Sequence, residues 1–140
     1  MTIYQQLIND YRKKLVKAID YLEYSYHQAK SLSTDYNNLG PEELQVWESL
    51  AARFARVVDL FLTKYIRAAV NNNDPGFAGT LRDYVNRAEK LGLLKLADHW
   101  MEFRELRNIV VHEYADEQFS RFVEQLRRCA PELLELKKTL

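Results

Sequence analysis

The sequence predicts an all-α protein, an antiparallel bundle of four to five helices forming one domain over residues 1–140. Three observations carry this. Apolar residues recur at alternating three- and four-residue spacing over most of the chain, which is the pattern of one buried helix face. Glycine and proline number only four and three, and they fall mostly where those stripes end. No segment sustains the period-two alternation of a half-buried strand, so no sheet is expected.

The first stripe is Ile8, Tyr11, Leu15, Ala18, Leu22, Ser25/Tyr26 and Ala29, a long helix from Thr2 to about Ser31. Residues 31–40 are polar and loop-like. Gly40-Pro41-Glu42-Glu43 reads as a helix start, with proline at the first position and carboxylates facing the positive end of the dipole. The second stripe follows as Trp47, Leu50, Phe54, Val57, Phe61, Tyr65 and Ala68. It fades into Asn71-Asn72-Asn73-Asp74-Pro75-Gly76, the strongest breaker in the chain.

Thr80-Leu81-Arg82-Asp83 resembles a capping box with Asp in place of Glu or Gln. The short helix it opens carries Leu81, Tyr84/Val85, Ala88 and Leu91 on one side and ends at Gly92. A fourth helix is expected from about Leu93 to Val111, through Leu94, Ala97, Trp100/Met101 and Leu106. Asp116 is positioned to cap a fifth, with Phe119, Phe122/Val123, Leu126, Cys129/Ala130 and Leu133 inward. Pro131 inside that pattern should kink or split it. Two helices of roughly thirty residues joined by short loops imply the antiparallel arrangement.

A formal net charge of zero argues against a broad basic face of the kind that holds long duplexes, while leaving room for a few arginines at a local anion site. The lone cysteine, Cys129, cannot make an internal disulfide and sits in an amphipathic pattern, so it is read as a small core residue in a reducing, cytoplasmic setting. No apolar run reaches the length of a membrane span, and no signal peptide opens the chain, so no membrane association is expected. There is no glycine-rich phosphate loop, Cys-x-x-Cys, His-Glu-x-x-His or Glu-x-x-His, so neither a metal nor a cofactor is expected. His27, beside Glu23 and Tyr24, and His99, before Trp100, are read as structural histidines.

His112 differs in its company: Arg107-Asn108-Ile109-Val110-Val111-His112-Glu113-Tyr114. RNA cleavage without metal needs one group to take the proton of the 2′-hydroxyl and another to protonate the leaving oxygen, and histidine can do either near neutral pH. It also needs positive charge at the phosphorane, which an arginine fork supplies. Asn108 and His112 are four apart and would share a helix face. Arg107 would lie about 140° from His112 on an ideal helix, so one chain cannot easily aim both at one phosphate. Either the helix ends before His112, or two chains share the site, as a two-fold dimer would arrange. The same residues have a plainer reading: Arg107 paired with Glu105 or Asp116, His112 a helix C-terminal residue favoured by the dipole, and Tyr114 an ordinary packed tyrosine.

Arg107-Asn108-x-x-x-His112-x-Tyr114 resembles the Arg-x4-His-x-Tyr motif of the HEPN family, specifically the branch of HepT toxins. The likeness is specific over Phe103 to Tyr114 and architectural elsewhere. It implies a helical bundle that forms a homodimer, with both copies of the motif facing across the interface. It implies a metal-independent endoribonuclease that leaves a cyclic phosphate, the toxin of a toxin–antitoxin pair. By the same resemblance, Arg107 and His112 are catalytic: His112 is the acid/base and Arg107 binds the scissile phosphate of the RNA substrate. Asn108 is supporting, orienting the histidine or the substrate. Tyr114 is the modification site, AMPylated by a cognate MntA-like minimal nucleotidyltransferase. A sister branch, nucleotidyltransferase substrate-binding proteins, has a similar bundle and motif. It implies instead a non-catalytic companion subunit, and the aromatic-rich first two helices, with Tyr21, Tyr24, Tyr26 and Trp47, suit either branch.

Overall fold

The computed structural model describes residues 1–109 and 116–140, leaving aside the side chains of residues 116 and 117. The described residues form helices and turns, with no strand among them. Helix α1 spans Ile3–Ala29. Helix α2, Pro41–Asp59, runs without a break through a π-helical stretch, Leu60–Tyr65, into α3, Ile66–Asn73. Three further helices complete the order: α4 (Leu81–Lys90), α5 (Ala97–Arg107) and α6 (Asp116–Glu135). Short 3-10 turns lie at Tyr36–Asn38 and Leu136–Lys138.

Local chemistry sets most of these boundaries. Thr2 accepts from the Gln5 amide at 3.1 Å, and its own amide donates to the Gln5 side chain at 2.8 Å, so α1 opens on a reciprocal cap. Pro41 starts α2, and the Gly40 amide donates to Glu43 Oε1 at 3.2 Å. Thr80 and Asp83 make the expected capping box. Helix α4 ends at Gly92, whose φ of 75° is open to glycine at little cost. The Gly92 amide donates to the Glu89 carbonyl and the Leu93 amide to that of Ala88, the two bonds of a Schellman motif.

That motif shortens the fourth expected helix at its start. Leu93 is consumed by the turn, and Leu96 adopts a left-handed conformation at φ 59°. Helix α5 therefore begins at Ala97, whose amide is capped at 2.8 Å by Glu89 Oε2 from α4. It ends at Arg107, short of the expected Val111. Leu91, expected inward, is 41% exposed because the chain is already turning there. Helix α6 starts at Asp116, whose expected capping side chain lies outside the described residues. It passes through Pro131 unbroken, and the expected split does not occur. Ala130 and Leu133 are fully buried on either side, and that packing outweighs one missing backbone bond.

Buried side chains from all six helices join one core, centred on Leu15, Ile19, Leu22, Trp47, Phe54 and Phe61. Helix α2 lies at its centre, packed by α1, α5 and α6. The π-helical stretch shifts the stripe of this central helix. An unbroken α-helix would carry burial from Phe61 to Tyr65; here Ile66 is fully buried and Tyr65 only partly so. Ala69 and Val70 continue the shifted face, with Ala68 still buried beside them. Among the described residues no helix is long and apolar enough to cross a membrane.

Candidate functional site

An aromatic ladder docks α5 on the long central helix. Trp100 meets Phe61 at 4.4 Å between ring centroids, and Phe103 meets Phe54 edge-on at 6.0 Å. Positions 100, 103 and 107 share one helix face. Arg107, one turn past Phe103, is thereby delivered to the end of α2.

There it meets Asp59. Arg107 donates Nε to Asp59 Oδ1 at 2.6 Å and Nη2 to Oδ2 at 2.8 Å, a bidentate pair across 48 residues of sequence. Such forks fix the plane of the guanidinium as well as its position. The hydrogen bond it donates to Asp59 holds the Arg107 guanidinium above its ordinary value, with burial opposing. The side chains are 37% and 41% exposed, so solvent and a ligand can reach the pair. Glu105 and Asp116 were the partners expected if Arg107 were an ordinary surface residue; the partner found is Asp59.

Asp59 is the last residue before the π-helical stretch. Its carbonyl accepts from the Thr63 hydroxyl at 2.6 Å. Widened turns of this kind are frequent at functional sites. Asp59 went unnoticed in the sequence because its partner is remote. One local signal was present: a single carboxylate inside the apolar run Val57-Val58-Asp59-Leu60-Phe61-Leu62.

Asn108 is exposed and caps α5, its amide donating to the carbonyls of Arg104 at 3.2 Å and Glu105 at 3.1 Å. Helix α5 stops at Arg107, as the first of the two alternatives requires, and His112 lies outside the described residues. His112 and Tyr114 lie outside the described residues, so of the four expected site residues Arg107 and Asn108 are placed, side by side at the end of α5.

The other two histidines sit elsewhere. His27 lies 3.7 Å from Glu23 on the exposed side of α1, and His99 joins α5 to Glu132 of α6. Cys129 is half-buried, and desolvation pushes its thiol up. Among the described residues no group of three His, Cys, Asp or Glu side chains is placed to hold a metal ion. An apolar cleft of about 340 Å³ lies between the start of α5 and the end of α6, lined in part by Leu93, Leu96, Trp100 and Leu136; neither Arg107 nor Asp59 lines it. Compared with protein-family models, curated proteins and solved structures, the chain matches none.

Proposed function

We propose that this chain is a HEPN-type toxin, a metal-independent endoribonuclease that acts in the cytoplasm as a homodimer. The observation that carries the reading is the bidentate Arg107–Asp59 pair at the end of α5. It is a preorganised, solvent-accessible guanidinium immediately before Asn108-x-x-x-His112-x-Tyr114. An arginine gripped in this way suits stabilisation of a phosphorane, because it need not reorganise as charge develops.

In this reading the RNA 2′-oxygen forms a bond to phosphorus while the bond from phosphorus to the 5′-oxygen breaks, leaving a cyclic phosphate. His112 takes the proton from the 2′-hydroxyl or returns one to the leaving oxygen. Each chain has one such histidine, so a second copy across a two-fold axis supplies the other proton transfer. Asn108 orients the histidine or the substrate. A cognate MntA-like minimal nucleotidyltransferase neutralises the toxin by AMPylating Tyr114, which adds bulk and negative charge beside a site built for phosphate.

The test is cleavage of RNA by protein expressed without its neighbour, in EDTA, with intact mass recorded to establish that Tyr114 is unmodified. Cleavage is expected from the wild type and lost in both His112→Ala and Arg107→Ala. Cleavage unchanged in both variants would overturn the proposal.

A second reading, a non-catalytic nucleotidyltransferase substrate-binding subunit, is favoured by one observation. Tyr21 and Tyr24 are 50% and 60% exposed on α1, and the Arg53 guanidinium lies 5.5 and 5.9 Å from their ring centroids. Tyrosine and arginine together are the side chains enriched where protein interfaces are strongest. This reading expects a stable complex with the nucleotidyltransferase, weakened by Tyr24→Ala, and no RNA turnover.

A further inference from the structure

Arginine has two edges that can each hold an oxyanion: Nε with Nη2, and Nη1 with Nη2. Asp59 takes the first edge of Arg107. The second is the edge it does not take. Asp59 is itself held, because it sits where α2 passes into the π-helical stretch and its carbonyl receives the Thr63 hydroxyl. The stack below is closely packed: Phe103, one turn back on α5, lies edge-on against both Phe54 and Trp100.

We propose that Asp59 is a positioning residue, which grips Arg107 by its Nε–Nη2 edge and so presents the Nη1–Nη2 edge to a phosphate group. The inference rests on the reading of Arg107 as the phosphate ligand and adds to it how that ligand is aimed. A plain electrostatic view predicts the opposite sign. A carboxylate beside an anion site repels the anion, so its removal should tighten binding. If Asp59 instead sets the aim of the guanidinium, its removal should loosen binding even though the site becomes more positive, since small losses of orientation cost large factors.

The experiment is a titration with inorganic phosphate, followed by NMR at the Arg107 Nε–Hε signal, assigned by its loss in Arg107→Lys. Wild type, Asp59→Asn and Asp59→Ala are compared after circular dichroism has established that each is folded. Phosphate is expected to shift the wild-type signal, with a Kd about tenfold weaker in Asp59→Ala and intermediate in Asp59→Asn, which keeps one acceptor. Equal or tighter binding in Asp59→Ala would overturn the proposal while leaving Arg107 as a phosphate ligand. A wild-type Arg107 signal unmoved by phosphate would overturn both. On RNA, the variants should lose kcat, about tenfold for Asp59→Ala, with KM close to that of the wild type.

Discussion

His99 on α5 and Glu132 on α6 meet at 3.1 Å through Nδ1 and Oε2. The contact pins the helix that ends in Arg107 to the helix beyond the motif. Glu132 raises the His99 pKa above its ordinary 6.5, chiefly by the hydrogen bond, with desolvation opposing; the charges of Glu132, Glu102 and Asp98 add attraction. A raised folded-state pKa gives stability that is fully present below the unfolded value and is lost as pH rises through the folded one. The stability gap between wild type and His99→Gln should therefore be full below the ordinary 6.5 and narrow as pH rises above it, read from urea unfolding at a series of pH values. A gap constant across that range would contradict the assignment.

Two neighbouring positions should respond to substitution with opposite signs. Gly92 and Leu96 both have positive φ, 75° and 59°. Gly92→Ala places a Cβ where L-residues are strained and should destabilise by about 1 kcal/mol. Leu96 is 57% exposed and has little packing to lose, so Leu96→Gly should stabilise by up to about 1 kcal/mol. Chemical denaturation of the two variants reads both signs.

Loss of Arg107 should disable without unfolding. The pair with Asp59 is well aligned but more than a third exposed, and solvent screens it. Arg107→Ala should cost no more than about 1 kcal/mol of stability. Helical content by circular dichroism should be unchanged under conditions where RNA cleavage is abolished.

Cys129 should resist alkylation. It is half-buried in α6 and desolvation raises its pKa, only partly opposed by Arg128. At neutral pH its reaction with iodoacetamide should be slower than that of a free cysteine, and should reach the free rate once urea unfolds the chain.

Most of the fold was legible because its signals are local. Pro41, the Thr80–Asp83 box and Gly92 each set a boundary with side chains or backbone freedom visible within four residues. Leu93 to Leu96 misled because leucines after a glycine read as a helix start, whereas here they complete the turn that ends α4. Pro131 does not split α6, because its cost is local while the packing that tolerates it is not. In the site, Arg107 and Asn108 stood out by motif. Asp59 left only a faint mark, since a pair 48 residues apart has no local pattern.

The π-helical stretch has a consequence for the history and design of the chain. Counted from Phe61 to Ile66, the central helix holds one residue more than a uniform α-helix would need to keep the same side against the core. It is the geometry of a single-residue insertion absorbed without rotating the rest of the helix. Removing the exposed Lys64 should restore a regular helix, leave Phe54 and Ile66 facing inward, and preserve or raise stability. What such a shortened chain would lose is the π-helical stretch that follows Asp59. The widened turn thus begins immediately after Asp59, the carboxylate that pairs with the motif's arginine.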